Sequence, residues 1–441
     1  MPLTELKSNA FQTIDSVSEK ILTICSTILD NPEPGFREHK TSRTVNEAFS
    51  SMEIPFKTGL ALTGSRAEIT FKKPGPTIAL IGELDSLIVK DHPFANFKTG
   101  AAHACGHHCQ IGMMLAAGMA LNTPEMQDKL CGRVILMAVP AEEYIEIEYR
   151  DTLRTLGKIE FLGGKPEFIR IGEFDDVDIS MMMHTTSVPE EKQICISGTN
   201  NGTVAKRITF IGRGAHAGGS PHLGINALNA ASLALSAIHY NRETFKDSDT
   251  IRVHPIITKG GEAVSAVPSE VTMETFIRGK TMNAIMDANR KVDRALRAGA
   301  LAVGAEVNIK TIPGYMPLNQ DINLMDIFKI NANSLVGESN VGNRYHGTGS
   351  TDMGDVSQIM PIIHPYVGGA TGIGHGANYV IEDYQLSVLT AAKSLSATII
   401  DLLSDNANLA NQVIAKHRPA MKIAEYLSFM RSLNSNETYK D

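Results

Sequence analysis

Three short clusters and two single histidines in this 441-residue chain carry side chains able to do chemistry. The clusters are Glu83-Leu84-Asp85, His103-Ala104-Cys105-Gly106-His107-His108-Cys109 and Pro140-Ala141-Glu142-Glu143. The histidines are His184 and His375, the second between Gly374 and Gly376. Cys105 and His107 are two apart. In an extended loop such residues point the same way, so both could reach one ion. A thiolate and an imidazole suit Zn, Mn, Co or Ni. Two adjacent carboxylates repel and are costly to desolvate. They persist where one binds a cation and the other takes a proton, as metal hydrolases require. Each piece alone also has a plainer reading. Cys-x-His fits a core cysteine at a helix start. The acidic pair fits a solvated loop running on to Glu146 and Glu148, and a lone histidine fits a satisfied loop or core residue.

The elements that must position these residues can be read from periodicity. Thr77–Gly82 and Arg133–Pro140 are continuous apolar runs, the pattern of strands buried on both faces, and 179–183 is a weaker third. An apolar-rich helix over Ile111–Leu121 lies between the first two. Helices are also expected over Phe11–Asp30, ended by Asn31-Pro32-Glu33-Pro34-Gly35, and over Thr41–Phe49. Strands alternating with helices predict a mostly parallel sheet, whose ligands gather beyond the strands' carboxyl ends. All three strands run directly into His, Cys or acidic residues. That convergence favours a metal site over the plainer readings.

The middle of the chain reads as a different unit. Strands are expected at Val204–Ile211, Ile251–Thr258, Val271–Arg278 and Glu306–Ile312, with helices at Gly224–His239 and Met282–Leu301. This is the β-α-β-β-α-β order of a ferredoxin-like unit. The expected organisation is a catalytic domain over 1–192 and 314–441 interrupted by an inserted domain over 193–313. An apolar helix at Ser387–Leu403 and a polar tail are expected to close the chain.

Composition narrows the function classes. Apolar residues are 43% of the chain and charged residues 20%, as in globular proteins. Lys+Arg is 41 and Asp+Glu 48, a net charge of −7 that argues against nucleic acid or an anionic membrane as partner. No apolar run approaches the ~20 residues of a membrane span. The first 20 residues are polar, without the look of a secretory signal. Five cysteines do not read as a disulfide framework, so a reduced, cytoplasmic protein is expected.

Cys105-Gly106-His107, Pro140-Ala141-Glu142-Glu143, His184, Gly212–Gly218 with His216, and Gly374-His375-Gly376 together resemble the metal-dependent amidohydrolases of the aminoacylase/carboxypeptidase superfamily. The branch is that of indole-acetyl-amino-acid, hippurate and aminobenzoyl-glutamate hydrolases. The resemblance runs from about Asn31 to Asp383. It implies a zinc-peptidase-like α/β catalytic domain and an inserted α+β lid that dimerises. It implies one or two divalent ions (Mn, Zn, Co or Ni) held by Cys105, His107, Glu143, His184 and His375, and Glu142 as general base. It implies that Asp85 orients a ligand imidazole. His216 would stabilise an oxyanion, across a subunit interface. Arg278 would meet a substrate carboxylate, and Asn226 and Gly369 would lie along the substrate groove. The sequence departs from the branch at His108, where an acidic residue is usual, and at Glu83, the first position of an Asp-x-Asp motif. His108 could bind metal, touch substrate or only pack.

The expected activity is hydrolysis of the amide of a small N-acyl or N-aroyl amino acid, by attack of a metal-bound water with Glu142 as base. No Gly-x-Ser-x-Gly elbow suggests a covalent intermediate. Two rivals stand beside it. One is release of ammonia from an electron-poor aromatic amine of nitroanthranilate type. The other is a binding protein on an inactive scaffold. The expected partners are a small-molecule substrate and further copies of this chain, as a homodimer or higher homo-oligomer through the lid.

Overall fold

In the computed structural model, which describes residues 3–440, the first apolar run forms the strand Lys73–Glu83 inside a six-stranded sheet. The order is Phe56–Leu60, Gly64–Thr70, Cys131–Val139, Lys73–Glu83, Ile179–Met181, Ile362–Ile363. The first two ladders are antiparallel and the remaining three parallel. The apolar runs are continuous because both faces are covered. Ile78, Leu80, Val134 and Leu136 join a core with the helices His107–Leu121 and Ala391–Leu403. Ala79, Ile81, Ile135 and Met137 pack into the core on the other face. Gln385–Leu403 is apolar and long enough to cross a membrane, yet 83% of its apolar window is buried inside the protein. It serves as a core helix. The expected first helix is two, Leu3–Ser16 and Ser18–Leu29, broken at Val17.

A second, antiparallel sheet has the order Arg252–Val253, Glu270–Gly279, Gly202–Ile211, Glu306–Pro313, Ser435–Tyr439. Burial alternates residue by residue along Glu270–Gly279, as a half-buried strand requires. Val271, Met273 and Ile277 pack with Ala230 and Ala234 of helix Ala227–Tyr240 and with Ile285 and Val292 of helix Met282–Leu301. The expected strand over 251–258 is instead two pieces, Arg252–Val253 and Ile256–Lys259, both on Glu270–Gly279. Pro255 lies between them and has no N–H for the ladder.

Two stretches pair outside the unit in which their sequence placed them. Ile194–Asn200 lies parallel to Val341–Gly347 and antiparallel to Tyr366–Val367, in a four-stranded sheet with His184–Thr185. The polar tail forms the helices Asn408–Lys416 and Ile423–Ser432, then adds Ser435–Tyr439 to the edge of the second sheet. Buried Tyr426 anchors that tail by donating its hydroxyl to Asp355 Oδ1 at 2.8 Å.

Candidate metal centre

The carboxyl ends of Lys73–Glu83 and Cys131–Val139 deliver Asp85 and the Glu142–Glu143 pair to one place. Asp85 is fully buried, and its carboxylate accepts the Glu142 N–H at 3.1 Å and the Glu143 N–H at 2.9 Å. Ala141 before them has φ 59°, a left-handed turn that sends the chain back across the sheet end. Arg150 holds the loop from beneath through the carbonyls of Ala141, Leu162 and Glu143. The Tyr315 hydroxyl donates to the Glu142 carbonyl at 2.5 Å.

Cys105 and His107 are not on an extended segment. Cys105 sits in a turn, Gly106 takes φ 85° as N-cap, and His107 opens the helix His107–Leu121. The left-handed glycine aims both side chains at one point, where a period-2 loop was expected to do so. A Cβ on Gly106 would stand 2.2 Å from Thr185 Oγ1, besides the strain of positive φ. Gly106→Ala is therefore expected to lower stability by at least the ~1–2 kcal/mol of a left-handed alanine. It should also weaken metal binding, measured as Tm and as metal content after dialysis.

Five candidate ligands converge here. Cys105 Sγ is 3.2 Å from His184 Nε2, His375 Nε2 is 3.5 Å from Glu143 Oε1, and His107 Nε2 is 4.0 Å from the same oxygen. The His107 and His184 imidazoles are steered from behind. His107 Nδ1 donates to the Asp85 carbonyl at 2.9 Å, and His184 Nδ1 to the Thr185 carbonyl at 2.7 Å. That leaves each Nε2 lone pair facing the cluster, as ligating histidines require. It is the main-chain oxygen of Asp85 that orients His107; the carboxylate is 3.4 Å from Nδ1. His375 has φ 65°, and its N–H donates to the Ala104 carbonyl at 3.0 Å, tying it to the Cys105 turn.

The donor set fits a divalent cation. His107 Nε2 and Glu143 Oε1 are buried and have no hydrogen-bond partner among the described residues. Such atoms are costly to bury unless something binds them. Sets of donors from Cys105, His107 and His184, and from Cys105, Glu143 and His375, each lie within 4.8 Å of one another. One sulfur, three imidazole nitrogens and a carboxylate match the ligands of Zn and its neighbours.

The charges explain the acid–base partner. Burial, and then the charges of Glu83 and Glu143, push the Glu142 carboxyl well above the usual range. A base so placed accepts a proton readily near neutral pH. Burial also pushes Glu83 up, but the Lys165 ammonium and then His107 pull it down to about 2. Lys165 Nζ donates to Glu83 Oε1 at 2.5 Å and also to Asp352. The three side chains are completely buried. Lys165 and Asp352 escaped the sequence reading, because nothing local marks a buried charge pair 187 positions apart.

A cavity of about 500 Å³ opens over the cluster, lined by Cys105, Glu142, Glu143, His184, Arg278 and His375 among others. The Arg278 guanidinium lies 5.3 Å over the Phe276 ring, with Glu142 and Glu143 the opposite charges felt there. The remaining candidates lie elsewhere. His108 turns away from the cluster, the packing outcome of the three open for it, because consecutive helix residues are ~100° apart. Its ring contacts His103 at 5.3 Å between centroids, and its Nε2 lies 3.1 Å from the Tyr384 hydroxyl. Asn226 caps the helix Ala227–Tyr240, accepting the N–H groups of Leu228 and Asn229. Gly369 has φ 99° in a turn where a Cβ would stand 2.2 Å from Ser387 Oγ. His216 is exposed on the second sheet's loop, its Nδ1 accepting from the N–H groups of Gly218 and Gly219. Neither His108, Asn226, Gly369 nor His216 of the same chain lines the cavity.

Residues 79–401 match the family described as Peptidase family M20/M25/M40. The chain is similar to an Xaa-Arg dipeptidase of Mus musculus, 28% identical over 90% of this chain and 89% of that one. It is also similar to an indole-3-acetyl-aspartic acid hydrolase of Enterobacter agglomerans, 28% identical over 56% and 55% of the two chains. Among solved structures, a Bacillus subtilis dinuclear metal binding peptidase from the M20 family superposes with a TM-score of 0.64 at 18% identity, covering 88% of this chain and 99% of that one. An aminobenzoyl-glutamate utilization protein from Klebsiella pneumoniae gives 0.67 at 17%, covering 88% and 97%. These last two likenesses show the α/β fold.

Proposed function

The chain belongs to peptidase family M20/M25/M40, a family of amidohydrolases and peptidases, and on that premise we propose that it hydrolyses the amide of a small N-acyl or N-aroyl amino acid. The observation that carries this reading is the Glu142–Glu143 pair. Its two amides share one buried carboxylate, Glu143 Oε1 lies among the candidate ligands, and the neighbouring Glu142 is held as a basic carboxylate. In this reading Cys105, His107, Glu143, His184 and His375 hold one or two divalent ions, drawn from Mn, Zn, Co and Ni. A bound ion of this kind lowers the pKa of a coordinated water to about 7 and polarises a carbonyl. Glu142 takes the proton of the attacking water and returns it to the leaving amine. Asp85 fixes both the glutamate pair and the His107 ring. Arg278 pairs with the carboxylate of the amino-acid half. The domain reading is a lid within 193–313 inserted between 1–192 and 314–441, its own sheet beginning at Gly202 because Ile194–Asn200 pairs with Val341–Gly347 and Tyr366–Val367.

A panel of N-acyl amino acids, aminobenzoyl-glutamate, dipeptides and anthranilates, each with Mn, Co, Zn and Ni, tests the reading. Acid and free amine in equal amounts are the expected products. Ammonia released from an anthranilate with no acid product would instead identify an aminohydrolase. Arg278→Met is expected to raise KM for a substrate with a free carboxylate. The loss should be about the 1.5–3 kcal/mol of a charged hydrogen bond, with little change for the matching amide.

His216 enters only if a second chain brings it, since it is exposed and does not line its own chain's cavity. We propose that it reaches a partner's cavity and donates to the oxyanion there. His216→Ala is then expected to lower turnover by about 10²–10³ with metal retained. Mixing it with Glu142→Gln protein under subunit exchange should restore part of the activity, because hybrid dimers contain one intact composite site. Two inactive variants that exchange subunits and never complement would confine His216 to its own chain.

A further inference from the structure

We propose that Glu83 is a sixth protein ligand of the metal centre, beside His107, and that Lys165 is the buried counter-charge anchoring its other oxygen. The inference rests on the metal-dependent reading above and adds a ligand to it. Glu83 Oε2 lies 3.0 Å from His107 Nε2, with both side chains completely buried. That contact lies outside hydrogen-bond geometry and is an ion pair only while the ring is protonated. The neighbours of His107 Nδ1 are acceptors, the Asp85 carbonyl at 2.9 Å and the Asp85 carboxylate at 3.4 Å, so Nδ1 carries the ring proton. Nε2 has no hydrogen-bond partner among the described residues. With the ring neutral, as metal binding requires, its Nε2 lone pair and the carboxylate oxygen held side by side repel each other. One cation in front of both removes the repulsion.

The distance suits that arrangement. Two donors each ~2.1 Å from one ion and at a right angle stand ~3.0 Å apart. Donors of Glu83, His107 and Glu142 lie within 4.8 Å of one another, a set distinct from the two that contain Cys105. Glu83 is also fixed in place. Gln110 Nε2 donates to Oε2 at 2.9 Å, Gln110 Oε1 accepts the Glu83 N–H at 3.2 Å, and Lys165 Nζ holds Oε1 at 2.5 Å. With Oε1 engaged by the ammonium, Oε2 is the oxygen turned toward His107. An added anionic ligand raises the negative charge of the centre, and Lys165, completely buried at its back, returns the balance. Buried ions of this kind are retained where they are paired.

The decisive measurement is an anomalous difference map from crystals of the Mn-loaded enzyme. An ion within about 2.0–2.3 Å of both His107 Nε2 and Glu83 Oε2 is expected. Metal content and chelator competition of Glu83→Gln should show one class of ion bound at least about 100-fold more weakly, at the upper end of what losing an outer partner costs. The Co-loaded variant should have an altered visible spectrum. The double variant Glu83→Gln/Lys165→Met avoids leaving Lys165 short of a partner and should show the same loss. An ion on His107 with Glu83 more than about 3 Å away overturns the inference. So does unchanged Co absorption and affinity in both variants. In either of those cases the other five ligands and the hydrolase reading stand. Failure of the wild-type protein to bind any divalent ion would overturn both.

Discussion

Glu142→Gln is expected to lower kcat by about 10²–10⁴, the range for loss of a general base, while metal content stays near that of the wild type. Glutamine keeps the volume of a side chain that is only 9% exposed and leaves the Glu142 N–H on Asp85 Oδ1 undisturbed. It removes the one property the environment has tuned, a carboxylate made basic by burial and by its neighbours Glu83 and Glu143. Glu143→Gln should behave differently. Glu143 Oε1 is the atom 3.5 Å from His375 Nε2 and 4.0 Å from His107 Nε2, so its loss falls on metal binding first. Measuring kcat beside metal stoichiometry for the two variants separates the roles. Reversed phenotypes would mean that the base and the ligand of the pair are exchanged.

The residues legible in the sequence were those whose chemistry is unusual for their surroundings. A thiol, imidazoles and paired carboxylates at the ends of apolar runs point to a site because strand ends in such sheets converge. The turn that joins them was not legible. Cys105 and His107 meet through the left-handed Gly106 and a helix start, a geometry that spacing alone cannot separate from an extended loop. The same helix explains His108. One residue further on, the side chain has swung ~100° round the helix, toward Tyr384. Lys165 and Asp352 are ordinary charged residues until the fold buries them against Glu83. The tail misled for a similar reason. Ser435–Tyr439 has no buried face of its own and becomes a strand because Glu306–Pro313 offers an open edge.

The same burial of charge sets the expectation for metal removal. Glu83, Asp352, Glu142 and Glu143 surround the cluster, and Lys165 is the buried ammonium that answers them. Stripping the protein with a chelator should abolish activity, and Mn, Co, Zn or Ni should restore it. Stability should move with activity, because an ion that binds only the folded chain adds about 2.7 kcal/mol at 100 times its Kd. For 441 residues, at about 2.1 cal/mol/K of unfolding entropy per residue, that corresponds to a rise in Tm of about 3 °C. Cysteine labelling reports the site directly. Cys25, Cys109, Cys131 and Cys195 are buried, while Cys105 is partly open at the cavity, so native-state alkylation reads Cys105. The bound ion should slow that alkylation, since a coordinated sulfur has given its lone pair to the metal. Full turnover in the stripped protein would sink the metal-dependent reading. Equal alkylation rates with and without metal would remove Cys105 from the ligand set and leave the histidine and carboxylate ligands to carry it.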